Sequence, residues 1–202
     1  MRDGTDPTWD VNDYLVAFED IVWPGGELVD LPLELKIQKV GQHVATVLRE
    51  GTSCLAVGGE LGAAMLGLAA VDYMAGFHHG RESTRGDFIA FLHEWFPQPY
   101  ADHSEWIYAN LRCGLMHNLT AANPWRGQHR RFSITGEGDV HLSESDGVLT
   151  FQVHVFLIDV YRAWVMFSHH LVMKAGRDGN EVQQFLRRFD RLGGIAAFMA
   201  KE

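Results

Sequence analysis

Residues 54–77 read Cys54-Leu-Ala-Val-Gly-Gly-Glu-Leu-Gly-Ala-Ala-Met-Leu-Gly-Leu-Ala-Ala-Val-Asp-Tyr-Met-Ala-Gly-Phe77. Ala63, Gly67, Ala70, Met74 and Phe77 recur at steps of four, three, four and three, the period of a helix. An interior glycine costs roughly 1 kcal/mol of helix propensity, so Gly58, Gly59, Gly62 and Gly67 call for a compensating gain. Close packing of one backbone on another element supplies it, within the chain or across a dimer. The segment is expected to be the central helix of a bundle. It is also the best candidate for a membrane span, but Glu60 and Asp72 interrupt it. The run Leu61 to Val71 falls well short of the roughly 20 residues that cross a bilayer, so no membrane association is expected.

Upstream, Val11, Tyr14, Leu15, Phe18 and Val22 are spaced for an amphipathic helix over residues 10–22, which Trp23-Pro-Gly-Gly ends. Pro32 then suits a first helical turn, and Leu33, Ile37, Val40, Val44 and Val47 predict a second helix that stops at Gly51. Its other face carries Glu34, Lys36, Lys39 and Gln42. Downstream, Phe88, Phe91, Leu92, Trp95 and Phe96 form a short apolar helix closed by Pro97-Gln-Pro99. Asp102 or Ser104 is placed to cap the next helix, whose apolar face includes Ile107, Leu111 and Leu115.

At Phe132 and Ile134, and again at Val140 and Leu142, the apolar period becomes two, with Gly136-Glu-Gly138 between. A small β-hairpin is expected over about 130–143. After Asp146-Gly147 a long helix from about Phe151 to Lys174 puts Phe156, Val160, Ala163 and Phe167 on one stripe. A last helix runs from a cap at Asn180 through Val182, Phe185, Leu186 and Phe189 to Gly193. The expected fold is all-α, a helical bundle with a small β-hairpin insertion, in a single domain over residues 1–202.

Composition excludes broad classes. At 47% hydrophobic and 21% charged the chain is neither disordered nor a coiled-coil rod. A formal charge of -9 argues against a broad basic surface for nucleic acid, so any RNA contact has to be local. The two cysteines, Cys54 and Cys113, allow at most one disulfide, and the acidic start Met1-Arg-Asp-Gly-Thr-Asp-Pro lacks the basic and apolar regions of a signal peptide. A reducing, cytoplasmic location is the simpler expectation.

One stretch carries a chemical signal: Tyr108-Ala-Asn-Leu-Arg112-Cys-Gly-Leu-Met-His117-Asn. An Arg followed after four to six residues by a His, near the end of a bundle helix and behind a Phe-x2-Phe-Leu-x2-Trp-Phe-Pro helix, resembles the HEPN superfamily in its "RCGLxH" form. The similarity spans about residues 55–120. It implies a helical bundle and, in active members, a metal-independent endoribonuclease in which the motif helices of two subunits meet across a two-fold axis.

The residues allow that chemistry a physical test. Five helical positions turn through about 140°, so Arg112 and His117 do not share a face of one helix. A homodimer solves this by bringing the His of one copy to the Arg of the other. Histidine titrates near neutrality, which suits His117 as general acid or base for attack by a ribose 2'-hydroxyl. Arg112 would hold the phosphate and stabilise the phosphorane. Asn110, seven residues before His117 and at nearly the same helical angle, would orient the imidazole or the RNA. Arg126, Arg130 and Arg131 are candidates to feed a positive cleft. No metal and no other cofactor is called for.

The chain departs from the active pattern. Cys113 stands where many family nucleases have a polar residue after the Arg, and Leu119 replaces the tyrosine used by toxins paired with nucleotidyltransferase antitoxins. Regulation through that tyrosine does not carry over, which leaves an antitoxin or regulatory protein as an open partner. The alternative function is a non-catalytic dimerisation or partner-binding module. Arg112 and His117 also have a plain reading as cations favoured near a helix C-terminus.

Other constellations are weaker. Arg162 to His169 is a second match to the Arg-His spacing, and Asp159 three residues before Arg162 reads as a salt-bridge partner. Neighbouring histidines at 78 and 79 and at 169 and 170 diverge by about 100° on a helix, and no His-x3-His or Cys-x2-Cys spacing supports zinc. Gly58-Gly-Glu-Leu-Gly62 lacks the Lys-Ser/Thr of a phosphate loop. Cys113 and His117 are within reach on one helix, but no third group orients them as a hydrolase pair.

Overall fold

The computed structural model describes residues 31–118, 131–136, 140–175 and 179–192. The helix expected at 10–22 lies outside them, as do Leu119, Arg126 and Arg130. Helix α1, Leu33–Ala56, begins after Pro32 and runs straight through Gly51, where the sequence suggested a stop. A Cβ at Gly51 would sit 3.4 Å from the Leu157 methyls, so this glycine admits a neighbouring helix rather than ending its own. The break comes at Gly58, in the left-handed region with φ 75°, and it shortens the expected central helix to α2, Glu60–His79.

Helix α2 is nonetheless the hub of the bundle. Ala63, Ala64, Leu68, Val71, Met74 and Phe77 are fully buried. Its small-residue stripe receives the long helix α6, Val153–Lys174: a Cβ on Gly67 would lie 2.6 Å from the Phe156 ring and 3.0 Å from Leu157. Close packing within the chain therefore answers the cost of the glycine. This helix is long and apolar enough to cross a membrane, and 61% of its apolar window is buried inside the fold.

Helix α3, Arg85–Trp95, starts with a capping box in which Thr84 and Asp87 satisfy each other's backbone amides. Helix α4, Gln98–Trp106, follows Pro97, so the chain turns helical four residues before Asp102, and neither Asp102 nor Ser104 caps it. Ser104 instead accepts from His93 at 2.9 Å and donates to the Ala101 carbonyl. A π-helical turn, Ile107–Arg112, then leads into α5, Cys113–Asn118. The expected apolar face holds, since Ile107, Leu111 and Leu115 are fully buried.

The β insertion differs from the expected hairpin over 130–143. Strands β1 (Arg131–Thr135), β2 (Ser143–Ser145) and β3 (Val148–Gln152) form a sheet in the order β1-β3-β2. β1 pairs with β3 in parallel, Phe132 opposite Leu149, and the antiparallel partner of β3 is β2. The two-residue turn is Asp146-Gly147, both at positive φ (51° and 69°), as the favoured hairpin turn requires. Leu149 and Phe151 point into the core, so Phe151 belongs to the sheet and α6 begins at Val153.

The core stripe of α6 is as expected, with Phe156, Val160, Ala163 and Phe167 fully buried. Helix α7, Asn180–Arg191, lays Val182, Phe185 and Phe189 against α2 and α6. Its N-cap is Gly179, so Asn180 is the first helical residue rather than the cap. Lys36, expected on a solvent face, is buried, pairs with Asp190 at 3.4 Å and sits 5.3 Å over the Phe189 ring. Its aliphatic stem thus joins α1 to α7.

Candidate functional site

The motif is built on the change from the π turn to α5. A π turn bonds each carbonyl to the amide five residues on and admits an extra residue, and such turns recur at functional sites. Here it separates residues that a regular helix would align. Asn110 is buried at 8% exposure, whereas His117 is exposed. The expected shared angle of the two is therefore not realised. His117 makes no hydrogen bond or ion pair with the described residues.

Arg112 is held from several sides. Its Nε donates to Asp72 Oδ2 of α2 at 2.7 Å, and its guanidinium lies 5.5 Å from the Tyr108 ring centroid. Burial opposes the charge, but the hydrogen bond and the charge of Asp72 outweigh it and hold the guanidinium proton more firmly than usual. Burial, then the neighbouring Cys113, pushes the Tyr108 hydroxyl above its ordinary range. The Arg112 side chain keeps 25% exposure. Since a guanidinium has five N–H donors and Asp72 occupies the one on Nε, terminal hydrogens remain to meet an anion.

Asp72 is the site residue that the motif spacing does not reveal, being 40 positions away. Its signal in the sequence is that it stands alone as an acid within the apolar run of α2. A lone carboxylate in a buried helix requires a cation from elsewhere.

A second polar chain runs through the core beneath the sheet. The Gln152 amide donates to His141 Nδ1 at 3.0 Å, which leaves the imidazole proton on Nε2 to be donated to Tyr100 Oη at 2.9 Å. Tyr100 in turn donates to Asp159 Oδ2 at 3.0 Å, and Arg162 meets the other carboxylate oxygen at 3.2 Å. Burial pushes His141 down to about 4. It also raises Tyr100, with Asp159 adding to the shift, and raises Asp159 against the pull of Tyr100 and Arg162. The Asp159–Arg162 pair expected from spacing is thus present, but it closes a buried network.

The histidines at 78 and 79 contact carboxylates at a helix end: His78 lies 3.4 Å from Glu94, and His79 3.6 Å from Asp87. Among the described residues, no three His, Cys, Asp or Glu side chains converge as metal ligands would. A cavity of about 680 Å³ opens between Thr52, Leu55, Glu60, Thr135 and His154. Arg112, His117 and Asn110 do not line it. Compared with known proteins, the chain matches no family model, and no curated protein or solved structure matches it significantly.

Proposed function

We propose that this chain is a HEPN-like, metal-independent endoribonuclease that works as a homodimer in the cytoplasm, as a toxin or defence effector under the control of an antitoxin or other regulatory protein. The observation that carries the reading is an exposed His117, without a hydrogen bond or ion pair among the described residues, one helical turn or so beyond an Arg112 that Asp72 and Tyr108 hold in place. A preoriented guanidinium with donors to spare suits a phosphodiester, and an exposed imidazole suits proton transfer. In the reaction His117 takes the proton of a ribose 2'-hydroxyl as its oxygen attacks phosphorus. The His117 imidazolium then gives that proton to the departing 5'-oxygen, so the imidazole ends neutral and a 2',3'-cyclic phosphate remains. Arg112 of the other copy stabilises the pentacoordinate charge.

Charge distribution supports local RNA contact. Residues 1–30 hold eight of the twenty-six acids and one Arg, so the rest of the chain is close to neutral despite the overall -9.

The test is incubation of purified protein, in excess EDTA, with mixed structured and single-stranded RNA, beside His117→Ala. Cleavage leaving 2',3'-cyclic ends in the wild type alone is expected. A folded dimer that leaves all RNA intact speaks for the second reading, a non-catalytic dimerisation or partner-binding module. That reading draws on the Asp72 carboxylate, which already neutralises Arg112.

A further inference from the structure

The cavity beside the sheet is built by four elements that meet at one end of the bundle. The end of α1 supplies Thr52 and Leu55, the start of α2 Glu60, the end of β1 Ile134 and Thr135, and the first turn of α6 His154. Its volume of about 680 Å³ falls within the roughly 300–1,000 Å³ usual for small-molecule sites. Glu60 and Asp72 lie at opposite parts of α2, roughly 18 Å apart along the helix axis, so the cavity is separate from the Arg112 site.

The polar groups of this wall are short of hydrogen-bond donors. Glu60 makes no hydrogen bond or ion pair among the described residues, and its Oε1 would lie 3.5 Å from a Cβ at Gly136. The Thr52 hydroxyl spends its proton on the Leu48 carbonyl at 3.0 Å, which leaves its oxygen as an acceptor. Thr135 Oγ1 is buried without a hydrogen-bond partner, an unfavourable state that an occupant relieves once the hydroxyl turns toward the cavity. Leu55 and Ile134 add apolar wall, and no Lys or Arg lines the space.

From this we infer that the cavity binds a small organic cation, a protonated amine or amidine on a short apolar body. Its N–H groups meet Glu60 and Thr52, and its carbon skeleton lies against Leu55 and Ile134. An anion would face the Glu60 carboxylate with no Lys or Arg to receive it. A neutral polyol would leave that charge without a counterpart, and no three side chains among the described residues converge on a metal ion. This inference stands apart from the nuclease reading.

The test uses three probes of one shape and different charge on the full-length chain: benzylamine, which is protonated at neutral pH, benzyl alcohol and benzoate. Affinity and location are read by titration in amide correlation spectra, with the wild type beside Glu60→Gln. Benzylamine is expected to bind at millimolar or lower concentration and to move the signals of Thr52, Glu60, Thr135 and His154. Benzyl alcohol should bind roughly tenfold more weakly and benzoate not at all, since a charge-assisted hydrogen bond is worth about that factor. In Glu60→Gln, benzylamine should fall to the affinity of the alcohol. Equal binding of amine and alcohol by the wild type overturns the inference, whatever the variant does. So does an amine that leaves those signals in place at millimolar concentration, and so does full amine affinity in a folded Glu60→Gln.

Discussion

Arg112 and Arg162 both precede a histidine at the same kind of spacing, and both bind an aspartate, yet the two pairs do opposite work. Asp72 reaches Arg112 from another helix at 2.7 Å, with the two side chains 21% and 25% exposed. There the acid positions the cation and leaves it accessible. Asp159 is 6% exposed and Arg162 61%, three residues apart on α6. There the cation serves the acid, balancing a carboxylate that Tyr100 and His141 tie into the core. Linear spacing does not distinguish the pairs, whereas the direction from which the aspartate arrives does.

The largest effect expected to separate them is catalytic. His117→Ala should lower RNA cleavage roughly 100- to 10,000-fold, the usual contribution of a general acid or base, and His169→Ala should leave it unchanged. Equal loss in both variants, measured by fragment analysis in EDTA, would erase the distinction.

Next comes pH. His141 sits near 4 in the fold against an ordinary 6.5, so its neutral form is the one the fold keeps. Between those values the unfolded chain takes a proton that the folded chain refuses. Stability from this group is complete above about 6.5 and is lost as pH falls toward 4, by about 3 kcal/mol. Urea unfolding from pH 7 to pH 4 should show the loss in the wild type and a shallower slope in His141→Gln.

Removal of the acids should rank by burial. Asp159→Ala strands the Tyr100 hydroxyl beneath the sheet and should cost about 2–3 kcal/mol in urea midpoint analysis. Gly67→Ala, which forces a methyl against Phe156 at 2.6 Å, should cost about 1–3 kcal/mol by overpacking. Asp72→Asn should cost about 1 kcal/mol or less, because its pair is partly solvated. The same variant should raise KM for RNA more than it lowers kcat if Asp72 acts by orienting Arg112, and leave both alone if the pair only ties α2 to the π turn.

What was legible follows from which forces are local. The rows Ile107-Leu111-Leu115, Phe156-Val160-Ala163-Phe167 and Val182-Phe185-Phe189 are read directly because a helix buries one side at a fixed period, and all of them are buried. Gly51 misled because glycine marks both a helix stop and a close approach, and only the neighbouring Leu157 tells which. The strand at Val148–Gln152 was masked by Phe151, which fits the helical stripe beyond it equally well. Asp146-Gly147 already carried the hairpin signal.

At the candidate site the sequence determined the kinds of group, Arg112, His117 and Asn110, and the apolar face that anchors them. It also determined the charge asymmetry of residues 1–30. Tertiary structure alone decided that a π turn sends Asn110 inward while His117 stays outside, and that Asp72 reaches across to Arg112. The same holds for β3 entering between β1 and β2. Period and propensity act over a turn or two of chain, whereas strand order, helix register and the pairing of buried charges are settled by groups far apart in sequence that share one low-dielectric interior.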